Sequence, residues 1–198
     1  MLAGIHVLLT YQCMGECDHC FLQCGPHCEG TFTLSQLREL LREIKRIGTI
    51  DTVYFEGGEP FLFSAVLLAG LRMVRDADLH SGIVTNGYWA TTPEDAEQWL
   101  RPMLDLGIAD FSVSDDEFPS AKGDESPGGI AYCAAKKIGF PCAKICIDSP
   151  TVVPVSDRGS DKSQPVTGGE FSSRAAPPGK THRWSASAAP AGVNHVPS

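Results

Sequence analysis

The feature that most constrains this chain is an alternation that runs from residue 1 to about 148, in which short apolar runs are each followed by an amphipathic stretch. A short apolar run bounded by turn signals reads as a buried strand, and a periodic stretch after it reads as the helix that lets the next strand lie parallel. The alternation therefore predicts an α/β fold of βα units around a parallel sheet. Five units are legible. In sheets of this kind the loops at the carboxyl ends of the strands build the active site, so the polar and cysteine residues that end each run are expected to be neighbours in space.

The first strand is read over Ile5 to Thr10, followed by a cysteine-rich loop and a helix over Leu34 to Ile47, with Thr33 or Ser35 as its cap and Gly48 as its stop. Thr52 to Phe55 is the second strand, leading to Glu56-Gly57-Gly58-Glu59-Pro60 and a helix from about Ser64 to Arg75. His80 to Thr85 is the third, and its helix starts at Thr92-Pro93-Glu94-Asp95 and ends near Gly107. Asp110 to Ser114, a helix from about Gly129 to Ile138 and a fifth strand over Ala143 to Ile147 complete the series.

Beyond Pro150 the pattern stops. The segment 151–198 holds no Leu, Ile, Met, Tyr or Cys and is rich in Pro, Ser, Ala and Gly, so it is expected to be a disordered tail behind a core domain of residues 1–150. The formal net charge is −8, and no dense Lys/Arg run could neutralise a phosphate backbone, which argues against a nucleic-acid partner. Met1 to Thr10 is too short to span a membrane and lacks a basic start, so neither a membrane anchor nor a signal peptide is expected. Eight cysteines, five of them within sixteen residues, suit reduced, metal-binding thiols in the cytoplasm better than a disulfide scaffold, which would be small and loop-rich.

Cys13-Met14-Gly15-Glu16-Cys17-Asp18-His19-Cys20 is a CxxxCxxC run directly behind the first strand. Three thiolates on one loop can ligate three irons of a cubane and leave the fourth iron open to a chelating substrate. Zinc is the competing reading: it usually takes four ligands, and His19 or His27 would have to join the thiols.

A second motif lies behind the second strand, Gly57-Gly58-Glu59-Pro60. Alone it would be a turn. Together and in this order the two motifs resemble those of the radical S-adenosylmethionine (SAM) superfamily, and the resemblance covers residues 5 to about 148. It implies a partial (β/α)6 TIM-like barrel with the cluster near its open top, a [4Fe-4S] cluster on Cys13, Cys17 and Cys20, and SAM bound beside it. Gly57 and Gly58 would let the backbone approach the ligand, and Glu59 would take the methionine ammonium. Val84-Thr85-Asn86-Gly87-Tyr88 resembles the family's polar strand end that contacts SAM, and Ser112, Ser114 and Asp115 hold a similar place on strand four. His19 stands where the family commonly has an aromatic residue beside the adenine. The family's sixth strand and its later SAM-contacting motif have no recognisable counterpart, so the chain is expected to be an incomplete barrel with a foreign or frame-shifted tail.

The implied activity is reductive cleavage of SAM to a 5'-deoxyadenosyl radical that abstracts hydrogen from a small molecule or peptide, with an electron donor such as flavodoxin or ferredoxin. The alternatives are a zinc- or cluster-binding module without catalysis and an inactive fragment of such an enzyme. Cys24 and Cys28 read as loop thiols or, with His27, as a second metal site; Cys133, Cys142 and Cys146 read as buried packing.

Overall fold

Residues 2–17, 20–115 and 126–145 are described by a computed structural model of the chain. Five parallel strands form one sheet among these residues, in the order β1-β2-β3-β4-β5: Gly4–Thr10, Thr52–Gly57, His80–Thr85, Ile108–Ser114 and Cys142–Ile145. Strand order that follows chain order is the singly wound arrangement of a (β/α) barrel, as distinct from the doubly wound order that reverses part-way. The expected α/β partial barrel is the observed fold. The segments 116–125 and 151–198, with His19 and Cys146, lie outside the described residues.

Helices α1 (Leu34–Ile47), α2 (Ser64–Asp76), α3 (Pro93–Leu100) and α4 (Pro127–Lys137) link the strands. The first has the predicted bounds for a local reason: Thr33 and Gln36 cap each other's backbone reciprocally, and Gly48 ends the helix at φ 71°. The third is shorter than its sequence pattern. It stops at Leu100 and continues as a 3-10 turn over Arg101–Leu106, because Pro102 has no N–H to give the preceding turn. The fourth begins at Pro127 behind an Ser126 cap, earlier than the glycines that follow had suggested.

Alternation along the strands assigns the two faces of the sheet. Val7, Leu9, Val53, Phe55, Ile83, Phe111 and Val113 are buried and join Leu37, Ile44, Leu67, Leu71, Leu100 and Ala134 of the helices in one core. Phe61, in the turn after β2, anchors its centre by stacking on Trp89 at 4.5 Å and meeting Phe111 edge-on at 6.4 Å. No helix among the described residues is long and apolar enough to cross a membrane.

Candidate functional site

The cysteine loop leaves β1 at Thr10 and is pinned at its root by backbone bonds: the Cys13 N–H donates to the Gly25 carbonyl, the Gly25 N–H to that of Tyr11, and the Tyr11 N–H to that of Gly30. Inside the loop the Cys20 N–H closes a turn on the Cys17 carbonyl. Cys13 is buried, Cys20 half-buried and Cys17 exposed, and none of them is in a disulfide. Burial pushes the Cys13 thiol up, against the backbone N–H groups of Gly15 and Met14, which favour its thiolate. Cys17 and Cys20 line an open hollow of about 330 Å³ together with Cys24, Cys28, Glu16 and Gln23.

Behind β2, Gly57 and Gly58 do make a close approach, but to the root of the cysteine loop. A Cβ at Gly57, whose φ is 125°, would stand 2.5 Å from the Thr10 carbonyl oxygen, and one at Gly58 would stand 2.1 Å from that of Gln12. Room is needed there because the Gly58 N–H donates to Thr10 at 2.7 Å and the Glu59 N–H to Gln12 at 2.9 Å. The second motif therefore holds the base of the first.

Glu59 is fully buried. Its Oε1 accepts from the Phe61 N–H at 3.0 Å and from the Thr85 hydroxyl at 2.8 Å, and its Oε2 accepts from the Asn86 N–H at 2.8 Å. Burial lifts its carboxyl to about 7, while those three donors pull the other way. These donors fill three of the roughly four acceptor positions of a carboxylate, and because Glu59 has no exposed surface a direct contact with an ammonium requires its surroundings to move. Thr85 is saturated in turn, since its oxygen also accepts from the Gly87 N–H and from Trp89 Nε1, both at 3.1 Å. Asn86 extends the chain back to the first loop: its Nδ2 donates to Cys13 Sγ at 3.5 Å and its Oδ1 accepts from the Tyr88 N–H at 3.0 Å. Pro60 opens the turn that follows Glu59 and is buried.

Ser114 stands at the end of β4, half-buried and opposite Ile145 of β5. Its neighbour Asp115 ties that corner together, accepting from Ser126 at 2.7 Å through one oxygen and from Lys144 at 2.7 Å through the other. Thus the structure gathers Cys13, Gly57, Gly58, Glu59, Pro60, Thr85 and Asn86 around one hydrogen-bonded junction of three strand ends, with Ser114 at the next strand end.

The sequence profile of the Radical SAM superfamily matches residues 7–120, more than half of the chain. The chain belongs to the radical SAM superfamily. It is 25% identical over 114 residues to YydG of Bacillus subtilis strain 168, whose name assigns it to peptide biosynthesis, and the match spans 58% of this chain and 36% of that one. It is 28% identical over 118 residues to an S-adenosylmethionine-dependent nucleotide dehydratase of Selenomonas ruminantium, spanning 58% and 41%. The chain therefore reaches only about two fifths of the length of these curated relatives. Among solved structures, BtrN in complex with AdoMet and 2-DOIA superposes with a TM-score of 0.56 at 20% identity, over 74% of this chain and 57% of that one, which is a likeness of fold.

Membership in the radical SAM superfamily implies SAM and an iron–sulfur cluster as cofactors, and the donor set fits a cluster. Three soft thiols share one pinned loop, and N–H groups already point at two of their sulfurs, from Asn86 to Cys13 and from the Cys24 backbone to Cys20 at 3.4 Å. Among the described residues no three His, Cys, Asp or Glu side chains converge on a single ion; a cubane takes one thiolate per iron and does not ask for that convergence. Cys24 is buried and its thiol is pushed up to about 12, first by burial and then by the neighbouring Cys20, so it stays protonated. Cys28 donates to the Gln23 carbonyl, and His27 is exposed. Cys133, expected to be buried, is exposed on α4, because its position falls outside the alanine stripe of Ala131, Ala134 and Ala135 that faces the sheet.

One set of residues escaped the sequence analysis. On the face of the sheet opposite the helices, His6, Tyr54, Gly82 and Asp110 are register partners across four strands. His6 stacks on Tyr54 at 4.8 Å and pairs with Glu56 at 3.0 Å; Tyr54 lies across Gly82 and bonds to Asp110, which accepts from Ser112. The signal was present as polar residues at every second position of strands otherwise read only for their apolar side.

Proposed function

We propose that this chain carries the SAM-cleaving core of a radical SAM enzyme, with Cys13, Cys17 and Cys20 as ligands of a [4Fe-4S] cluster and Gly57, Gly58, Glu59, Pro60, Thr85, Asn86, Ser114 and His19 around SAM. The observation that carries the reading is the junction in which the glycine motif seats the cysteine loop while Glu59 holds the end of β3 against both. Bound together, the two cofactors supply a one-electron cleavage of SAM that yields a 5'-deoxyadenosyl radical able to take hydrogen from a substrate.

The protein's share is position. Gly58 and Glu59 fix the direction in which the loop leaves β1, and Thr85 fixes Glu59, so the thiols and the strand ends beside them are held by bonds that already exist. The polar face of His6, Tyr54, Glu56 and Asp110 suits a substrate with hydrogen-bonding groups, a small molecule or a peptide, lying within the sheet's curve. A flavodoxin or ferredoxin would deliver the electron, and the thiol-rich loop suits the reducing cytoplasm.

Anaerobic reconstitution with iron and sulfide, followed by an assay for 5'-deoxyadenosine, tests this. A brown protein that becomes EPR-active and consumes SAM once dithionite is added is expected. Cys13→Ala, Cys17→Ala and Cys20→Ala should each lose the [4Fe-4S] signal, whereas Cys24→Ala and Cys28→Ala should keep it. An intact cluster spectrum in Cys17→Ala, or stoichiometric zinc with no iron uptake, would sink the assignment.

A further inference from the structure

The Asn86 side chain is aimed at the cysteine loop. Its carboxamide is oriented at both ends: Oδ1 is occupied by the Tyr88 N–H at 3.0 Å, which leaves Nδ2 to donate, and Nδ2 lies 3.5 Å from Cys13 Sγ. The backbone that carries it is fixed by the bond from its N–H to the buried Glu59 carboxylate, and Glu59 is in turn fixed by Thr85 and Phe61. Turning the amide over would set two donors against each other at Tyr88, so the orientation follows from the network. Cys13 is also the most buried of the three motif cysteines, where a single donor weighs more than it would in water.

From this the geometry points to Asn86 as a positioning residue that sets the reduction potential of the cluster through an N–H···S bond to Cys13. The inference rests on the reading of Cys13 as a cluster ligand. One-electron reduction adds one negative charge to the cluster, shared with its thiolate sulfurs, and a donor on such a sulfur stabilises the reduced form over the oxidised one. The electron comes from the external reductant, dithionite in the test below, and no bond to Asn86 is made or broken. The Cys24 N–H does the same for Cys20 through the backbone, which side-chain substitution leaves in place.

The test is an EPR-monitored dithionite titration of reconstituted wild type, Asn86→Leu and Asn86→Asp. Both variants keep the N–H that binds Glu59. Loss of one hydrogen bond to a charged acceptor is worth on the order of tenfold in the ratio of reduced to oxidised cluster, so Asn86→Leu should titrate about 59 mV lower, the one-electron equivalent of tenfold. Asn86→Asp, which puts a carboxylate where the donor was, should shift further in the same direction. A purely structural role would lower cluster occupancy and leave the potential of the remaining clusters unmoved. A measurement on the unaltered protein guards against variants that fail to assemble: Asn86 and Asn194 are the chain's asparagines, so ¹⁵N-asparagine labelling should give the reduced cluster a nitrogen coupling in pulsed EPR. A wild type with a [4Fe-4S] cluster but no such coupling, or variants with unshifted potentials, would overturn the inference alone. A wild type that takes up no [4Fe-4S] cluster overturns the proposed function, and the inference with it.

Discussion

Two carboxylates close the carboxyl edge of this sheet, Glu59 on the β1–β3 side and Asp115 on the β4–β5 side, and their surroundings differ in kind. Asp115 keeps a cation, Lys144, and part of its surface in solvent. Glu59 has neither; it is sealed among neutral donors from β3 and from its own turn. A part-buried carboxylate that keeps a cation and some solvent costs less to form and less to disturb than a fully buried one with each oxygen committed to neutral donors. The difference marks where the fold is held rigidly. The rigid side is the one that seats the thiols.

The largest effect is expected where the rigid side meets the loop. Gly58→Ala forces a Cβ into the Gln12 carbonyl, a backbone atom that cannot rotate away, and should cost about 3 kcal/mol or more, near the upper end of overpacking penalties. Thermal unfolding would read the loss, and iron content after reconstitution should fall with it. A stable, fully loaded Gly58→Ala protein would break the claim that the glycine motif seats the cysteine loop.

Next comes Thr85→Val, which keeps the shape, strands the Gly87 N–H and Trp89 Nε1, and takes one of its three donors from the Glu59 carboxylate. A loss of roughly 2–3 kcal/mol by denaturant titration is expected, as for buried polar groups left without partners.

Glu59 itself sharpens the comparison through pH. Its folded carboxyl is lifted from 4.5 to about 7, first by burial. The folded state therefore binds more protons than the unfolded state between those values, and stability from this group is full below about 4.5 and falls as pH rises through about 7. The slope inside that window approaches about 1.4 kcal/mol per pH unit. Glu59→Gln should flatten this part of the stability–pH curve, and an unchanged curve would show that Glu59 does not titrate there.

Asp115→Asn should do least, about 1 kcal/mol, because the pair with Lys144 is part-buried, with solvent still reaching both side chains, and the asparagine carbonyl can still accept from Ser126; the loss should shrink in high salt. A loss as large as that at Thr85 would erase the contrast between the two edges.

How much of this was legible in the sequence depended on the range of the interactions. Helix α1 was readable to its ends because Thr33, Gln36 and Gly48 cap it locally. The five strands were readable because each apolar run is short and its boundary is marked. Pro102 was equally visible, yet the reading carried α3 through it, letting periodicity outweigh a missing N–H. The glycine motif was recognised, but the atoms it approaches belong to Thr10 and Gln12, and no local pattern names a partner that far away. The commitment of Glu59 to β3 was hidden for the same reason. The polar inner face was hidden by emphasis: His6, Tyr54, Glu56 and Asp110 break apolar runs at alternate positions, which is the mark of a strand with two different faces.

The seat of the cysteine loop also has a consequence for biogenesis. The carbonyls of Thr10 and Gln12 find their donors on Gly58 and Glu59, which are translated only after α1 and β2. On the ribosome, an emerging chain that ends within α1 has only the bonds inside the loop to hold the motif thiols, so under the proposed function they would meet metal on a partly seated loop. Pairing of β2 beside β1 brings the Gly58 and Glu59 donors to the loop root, and this contact is distant in sequence and slow to form by comparison with a helix. Under the proposed function, cluster delivery timed after that pairing would meet a fully seated loop, and delivery before it one held only from within.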